Sequence, residues 1–411
     1  MTSPARRDPS PFGLTLRLLL LGGVAGAVGS TGLAPATGRP PRPAPPLPLT
    51  LQVSAPEPVL RGGKVERPLI QKSYVLTLTR EQVRQVRERG SSAPLGAALE
   101  AVYARIDARE PRDAVFRNVG GVWTARAQTG WKVRRDVTER ALLGALREGG
   151  RTVEVEVGLT PPARSVRTLR ERGVTHHLAA GESSFAGSPA FRVHNIRVGG
   201  GRLHGGWVEP GAVYDFNART GAITRARGFV PGYVIAGGTL ALEDGGGICQ
   251  VSTTVFRAAY LAGLPIVERH AHSHQVSYYD PVGFEATVYA PSKNLRFRND
   301  TGRPLLMQVS WDLERETLRV DLFGGPPDRQ VRVSEPRVSD RRAALPPTFL
   351  SDPALEPGET RRVDMPASGM RVEIVRRVQI RGGEVRTDRL LSRYRPWGGV
   401  FAVHPTDDRL R

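Results

Sequence analysis

A chain of 411 residues with a single cysteine, Cys249, can close no disulfide within itself. Each folded part must therefore be held by a buried apolar core, and the length allows two or three domains large enough to bury one. Glycine (46) and proline (34) are plentiful, aromatic residues make up only 6%, and no βα unit repeats. That pattern predicts an α+β, multidomain protein built from mixed, mainly antiparallel sheets rather than a helical bundle. The cysteine lies in GGGICQVSTTVFRAAYLAGLPIVERHAHSH, residues 245–274. Within it Val251, Val255, Ala258, Ala259 and Ala262 recur at helical spacing, Gly263 supplies a stop, and Pro265 bars continuation. A helix is expected to start at or just beyond Cys249.

A thiol at a helix N-terminus feels the positive end of the helix dipole, which favours the thiolate. Unpaired N–H groups of the same turn can bind a developing oxyanion, here from Gly246, Gly247 and Ile248 up to Cys249 itself. The preceding glycines allow backbone conformations closed to other residues. Cys249 can equally be a small apolar residue that docks the helix, or a metal ligand.

Three histidines follow in ERHAHSHQVSYY, residues 268–279, which alternates like a strand and would put His270, His272 and His274 on one face. One of them could take the proton of Cys249. Alternatively, two could hold zinc, with Glu285 or Cys249 as third ligand. The imidazole of a thiol enzyme needs an orienting acid or amide. Glu285, in the expected strand GFEATVYA after a turn at Asp280-Pro281, is the first candidate; Asp244, Asn294 and Asn299 follow.

The net charge is +19, almost all from arginine, since lysine occurs only at Lys64, Lys72, Lys132 and Lys293. Such a chain is attracted to polyanions, among them anionic wall polymers and a membrane surface. No recognition helix or zinc-knuckle spacing accompanies the charge, so nucleic acid is not an expected partner. Arg6, Arg7 and Arg17 flank the apolar run Leu18–Val28, with small residues after it, so residues 1–36 read as an export signal. The run is shorter than the ~20 apolar residues of a membrane span. Residues 37–59, with Pro40-Pro41 and Pro45-Pro46, read as an extended linker.

A first α+β module is expected over 60–165. SYVLTLT reads as a strand, Thr79 and Gln82 form a capping box, and AVFRNVGGVW reads as a hairpin turning at Gly120-Gly121. A helix runs from Asp136 to a stop at Gly149, and TVEVEV alternates as a strand. Residues 185–315 carry the chemistry. A small β-rich module, with a hairpin about Gly382-Gly383, is expected over 320–411.

The stretch from GGGICQVSTTVFRAAY through GFEATVYA and LRFRNDTGRPLL, with HNIRVGGGRLHGGWVEPGAVYDFNARTG upstream, resembles the VanW domain family over about 195–310. VWTARAQTGWKV and LLGALREGGRTVEVEV resemble the peptidoglycan-binding-like module that often precedes such domains. LEPGETRRV and the hairpin after it resemble a G5-type wall-associated domain. The resemblance implies an exported bacterial protein at the cell envelope, and an L,D-transpeptidase-like cysteine acyltransferase that works without a cofactor on peptidoglycan stem peptides. Carried over, Cys249 matches the family cysteine, and His270 and His272 match its His-x-His positions. The chain departs from the pattern at His274 and Gln275, where an apolar residue and proline are usual. Glu285 stands in place of aspartate, and Asn294 where an acid is common. The other functions expected are a non-catalytic binder of peptidoglycan or wall polymers and a zinc-dependent wall hydrolase using His270 and His272.

Overall fold

Leu49, Leu51, Val53 and Ala55 alternate into a core along the strand Leu47–Pro56 (β1). The computed structural model to which this strand belongs describes residues 45–236, 239–383 and 385–411. The export signal therefore lies outside the described residues. The linker was expected to reach residue 59, yet from Leu47 onward it is a strand. β1 pairs over its whole length, antiparallel, with Leu69–Leu78 (β2), and in parallel with Thr152–Glu154 (β3) at residues 50–52 only. Pro48 lies outside that short parallel pairing and Pro56 ends the strand, so neither missing N–H breaks the ladder on that side. The prolines hid a period-2 pattern.

The capping box at Thr79 opens a helix over Arg80–Arg89 (α1); Gly96–Asp107 (α2) and Arg135–Glu148 (α3) follow, the last ending at left-handed Gly149. Leu95, Leu99, Val102 and Ile106 pack with Leu142, Leu146 and the buried face of β1 into one core. The hairpin Arg112–Val119 with Val122–Gln128 turns at Gly120-Gly121, both at positive φ. Its Phe116 stacks on Phe323 at 4.0 Å between ring centres. The Gln308 amide bonds both the N–H and the C=O of Phe116 at 2.9 Å. Those paired bonds satisfy a buried backbone at the seam between the first module and the next sheet.

That next sheet is antiparallel: His176–Ser184 (β4), Thr317–Gly324 (β6), Leu305–Asp312 (β5) and Trp207–Val208, in that order. It takes in strands on either side of the expected 185–315 segment, β4 before it and β6 after it. Against it pack the helices Ala190–Leu203 (α4) and Ile248–Leu261 (α5). α5 is enclosed nearly all round, and Val251, Val255, Phe256, Ala258 and Ala259 are fully buried. Each large apolar side chain so placed contributes about 1.5–3 kcal/mol. Close packing against β4 depends on Gly181, where a Cβ would lie 2.0 Å from the Thr254 carbonyl oxygen.

The buried polar residues of α5 bond outward and fix the chain around it. Gln250 donates to Ser184 O at 2.7 Å, Ser252 to Ala286 O at 2.7 Å, and Arg257 to Phe284 O at 2.9 Å and Tyr279 O at 2.7 Å. Irregular backbone over 279–288 is thereby clamped to the helix.

The last third is all β apart from a terminal 3₁₀ turn. Gly369–Ile380 (β7) and Val385–Tyr394 (β8) form the expected hairpin. Arg376 of β7 is 1% exposed; it donates to Tyr260 O (2.8 Å) and Leu264 O (3.0 Å) and pairs with Asp388. A guanidinium thus satisfies carbonyls at the C-terminal end of α5, where the helix dipole favours a cation.

Candidate active site

Gly247, at φ 110°, is the N-cap of α5, which puts Cys249 in the first turn. A Cβ on Gly247 would lie 2.9 Å from Cγ of Arg192 and 3.1 Å from its carbonyl, so glycine is required both by φ and by the approach of α4. The N–H of Ile248 is taken by Gly245 O, and that of Gln250 by Gly247 O, each at 3.0 Å. Ile248 is therefore not an available oxyanion donor. The N–H of Cys249, between them, has no partner among the described residues. Gly246 is buried below the turn, where its carbonyl accepts from Asn195.

Cys249 is partly exposed rather than sealed in the core. Its sulfur lies 3.3 Å from Thr287 Oγ1 and 3.5 Å from Val288 O. The segment 268–279 is not the expected strand: regular pairing ends at Glu268, and GFEATVYA forms no strand either. The two segments meet at a single antiparallel bridge, His270 to Thr287. Two residues further along that register, His272 stands opposite Glu285. His272 Nδ1 lies 2.7 Å from Glu285 Oε2, and the His272 backbone N–H donates to Oε1 at 3.2 Å. With Nδ1 committed to the carboxylate, Nε2 is the ring nitrogen left for Cys249, and the ring and the thiol act on each other electrostatically.

The electrostatics follow from this order. Burial opposes ionisation of Cys249, but His272, with Thr287 and the Val288 backbone, outweighs it and lowers the thiol pKa. Burial likewise opposes protonation of His272, yet the Glu285 charge and the cysteine push its pKa up to about 10. At Glu285 burial is again overcome, by His272 first and then by Tyr394 and Arg269, and the carboxyl pKa is lowered. All three shifts favour a thiolate–imidazolium pair backed by a carboxylate.

The other predicted residues go elsewhere. His270 bonds Glu268 at 3.0 Å, and His274, 5% exposed, bonds Arg395 O at 3.0 Å and packs on Trp397. The three histidines therefore share no face, because the backbone leaves extended geometry after Glu268. Among the described residues no three His, Cys, Asp or Glu side chains are grouped to hold a metal ion, which removes the geometric basis for zinc on His270 and His272. Asp244 pairs with Arg225. Asn294 supports Asn217 and Asp215, and buried Asn299 ties Val208 to Arg303.

Four site residues were not anticipated. Thr287 touches the sulfur. Tyr279 stacks on His272 at 4.8 Å. Tyr394 bonds Glu285. Arg192 reaches Tyr279. Thr287 could have been found, since it lies two residues from Glu285 in a pattern read as alternating. A cavity of about 460 Å³ lined by Tyr260, Ile266, Arg269, Arg386 and Leu391 lies beside the site but does not include Cys249 or His272.

A partly exposed cysteine at a helix start, paired with a histidine held by a buried acid, is the arrangement of a thiol-dependent site. Residues 191–323, which carry all three, match the family model described as VanW like protein, so this part of the chain is a VanW-like domain. It is 33% identical over 203 residues to the uncharacterized protein YoaR of Bacillus subtilis (strain 168), covering 49% of this chain and 65% of that one. It is 26% identical over 129 residues to the vancomycin B-type resistance protein VanW of Enterococcus faecalis (strain ATCC 700802 / V583), covering 30% of this chain and 46% of that one. The chain thus spans less than two thirds of the length of either relative. No solved structure matches it. No helix among the described residues is long and apolar enough to cross a membrane.

Proposed function

We propose that this protein is an exported cell-envelope enzyme, a cysteine acyltransferase that acts on peptidoglycan stem peptides in the manner of an L,D-transpeptidase. The observation that carries the reading is the Cys249–His272–Glu285 arrangement, in which the shifts of all three groups favour the thiolate and imidazolium together. The relative named for vancomycin resistance supports a place at the cell wall.

The Cys249 thiolate attacks a stem-peptide carbonyl carbon. The carbonyl electrons move to oxygen, and the oxyanion is held by the N–H of Cys249. Collapse breaks the C–N bond. His272 gives its proton to the departing amine, and a thioester remains on sulfur. An acceptor amine then attacks the thioester carbonyl, its proton passes to His272, and the thiolate leaves. Water in place of the amine makes the same site a carboxypeptidase. Glu285 keeps the imidazole in one orientation and stabilises its charged form throughout.

Incubation of the protein with a tetrapeptide stem, read by intact mass, is the test. The reading requires a mass gain equal to the acyl fragment on Cys249, absent from Cys249→Ala; the same adduct on that variant defeats it. The net charge of +19 favours one other reading, a non-catalytic binder of anionic wall polymers. A wild-type protein that pulls down wall material but never acquires the adduct would be that binder.

A further inference from the structure

Arg192 sits in the first turn of α4 and is only 9% exposed, yet no carboxylate among the described residues lies within ion-pair distance of it. Among the described residues the guanidinium meets only neutral groups. It donates to the Ser188 hydroxyl at 2.7 Å and to the Tyr279 hydroxyl at 3.5 Å, and it lies over the Tyr278 ring at 4.1 Å. Burial raises the pKa of the Tyr279 phenol, so that partner stays uncharged.

The position is electrostatically adverse. The positive end of α4 surrounds a cation in its own first turn. The methylene stem of Arg192 packs on Gly247, the N-cap of α5, which brings a second positive helix end close by. A buried charge without a counter-ion costs stability, and a structure retains it where an anion arrives from outside. Nor is the site remote from the chemistry: the Tyr279 ring that receives the Arg192 bond is the ring stacked on His272 at 4.8 Å. Cys249, Glu285 and Arg192 all bear electrostatically on that one phenol.

We infer that Arg192 is an anion subsite beside Cys249, which takes a free carboxylate of the substrate close to the bond being broken. The inference rests on the peptide substrate proposed above and adds a requirement to it: the peptide must end near the reacting carbonyl. A guanidinium holds a carboxylate through two parallel N–H bonds, so the subsite both fixes the register of the peptide and selects chain ends over internal bonds.

Binding to the full-length Cys249→Ala protein, measured by calorimetry, tests this without any reaction. The probes are a tetrapeptide stem ending in D-alanine as the free acid and the same peptide as its C-terminal amide. The free acid is expected to bind about tenfold tighter or more than the amide. Adding Arg192→Gln should lower the acid to the amide's affinity and leave the amide unchanged, while Arg192→Lys should retain part of the preference. Equal binding of acid and amide, no binding of either, or a preference that survives Arg192→Gln overturns the subsite. Should Arg192→Gln fail to fold, the acid-to-amide comparison on Cys249→Ala decides alone. The two readings fail separately. An Arg192-dependent preference in a protein whose wild type is never acylated leaves the subsite and removes acyl transfer. Acylation without any preference for the acid does the reverse.

Discussion

The Tyr394 hydroxyl donates a 2.7 Å hydrogen bond to Oε1 of Glu285, across 109 residues of sequence. The last residue of β8 therefore helps to hold the acid that orients His272. Around this bond the C-terminal module grips the same loop repeatedly: the Arg395 N–H donates to Ser273 O at 2.8 Å, and Arg269 donates to the Ser392 hydroxyl at 2.9 Å. The histidine-bearing loop has no strand of its own to fix it, and the β7–β8 hairpin supplies that rigidity.

Tyr394→Phe should consequently change the chemistry of Cys249 from outside the VanW domain. Glu285 loses the bond that holds its carboxylate opposite His272, so the imidazolium is held less firmly and the thiolate is weakened. The midpoint of the pH profile for iodoacetamide alkylation of Cys249 should move up. Stability should fall by about 1.5–3 kcal/mol, the range for a hydrogen bond to a charged group. A lower melting temperature with an unmoved alkylation profile would mean that Tyr394 only packs.

The assignment of His272 rather than His270 can be checked by the same alkylation. His272→Ala removes the imidazolium that outweighs burial at Cys249, so its midpoint should climb to or above the ordinary thiol value of 9.0. His270→Ala should leave it in place, because that ring bonds Glu268 and is 38% exposed. A shift with His270→Ala and none with His272→Ala would reverse the roles.

Much of this site was legible in the sequence. The Gly-Gly-Gly-Ile-Cys turn, the helix after it and its stop are properties of near neighbours, and local pattern reads those well. Glu285 was the first acid considered because an antiparallel return would bring it to the histidines, and one bridge is enough to do so. The alternating histidines misled because alternation shows which side chains a strand would align, not that a strand forms. His274 turns instead toward Arg395 and Trp397, partners that only tertiary packing brings close. Tyr394 had no local signal at all. The proline-rich stretch erred in the opposite sense, its composition outweighing a clear alternation from Leu47 to Ala55.

Acyl transfer to Cys249 should show a bell-shaped pH profile. On the acid side the rate falls as pH drops through the lowered pKa of Cys249, because protonation removes the nucleophile. On the alkaline side it falls as pH rises through about 10, where His272 loses the proton that the leaving amine needs. Alkylation by iodoacetamide requires only the thiolate and should rise to a plateau with no alkaline limb. Acylation that keeps rising above pH 10 would show that His272 is not the acid.

Gly181→Ala tests the platform on which the thiol stands. The added methyl would lie 2.0 Å from the Thr254 carbonyl oxygen and 2.6 Å from the Ala258 nitrogen, both backbone atoms of α5. Neither can rotate away, so the helix must lift from β4 or the strand must bend. Overpacking of this kind costs about 1–3 kcal/mol or more. The displacement should also be felt at Cys249, because α5 carries both the thiol and the Ser252, Thr253 and Arg257 bonds that seat the Glu285 segment. A lowered melting temperature together with slower alkylation at neutral pH is the expected pair of results. A variant as stable as the wild type would show that helix and strand are not in such close contact.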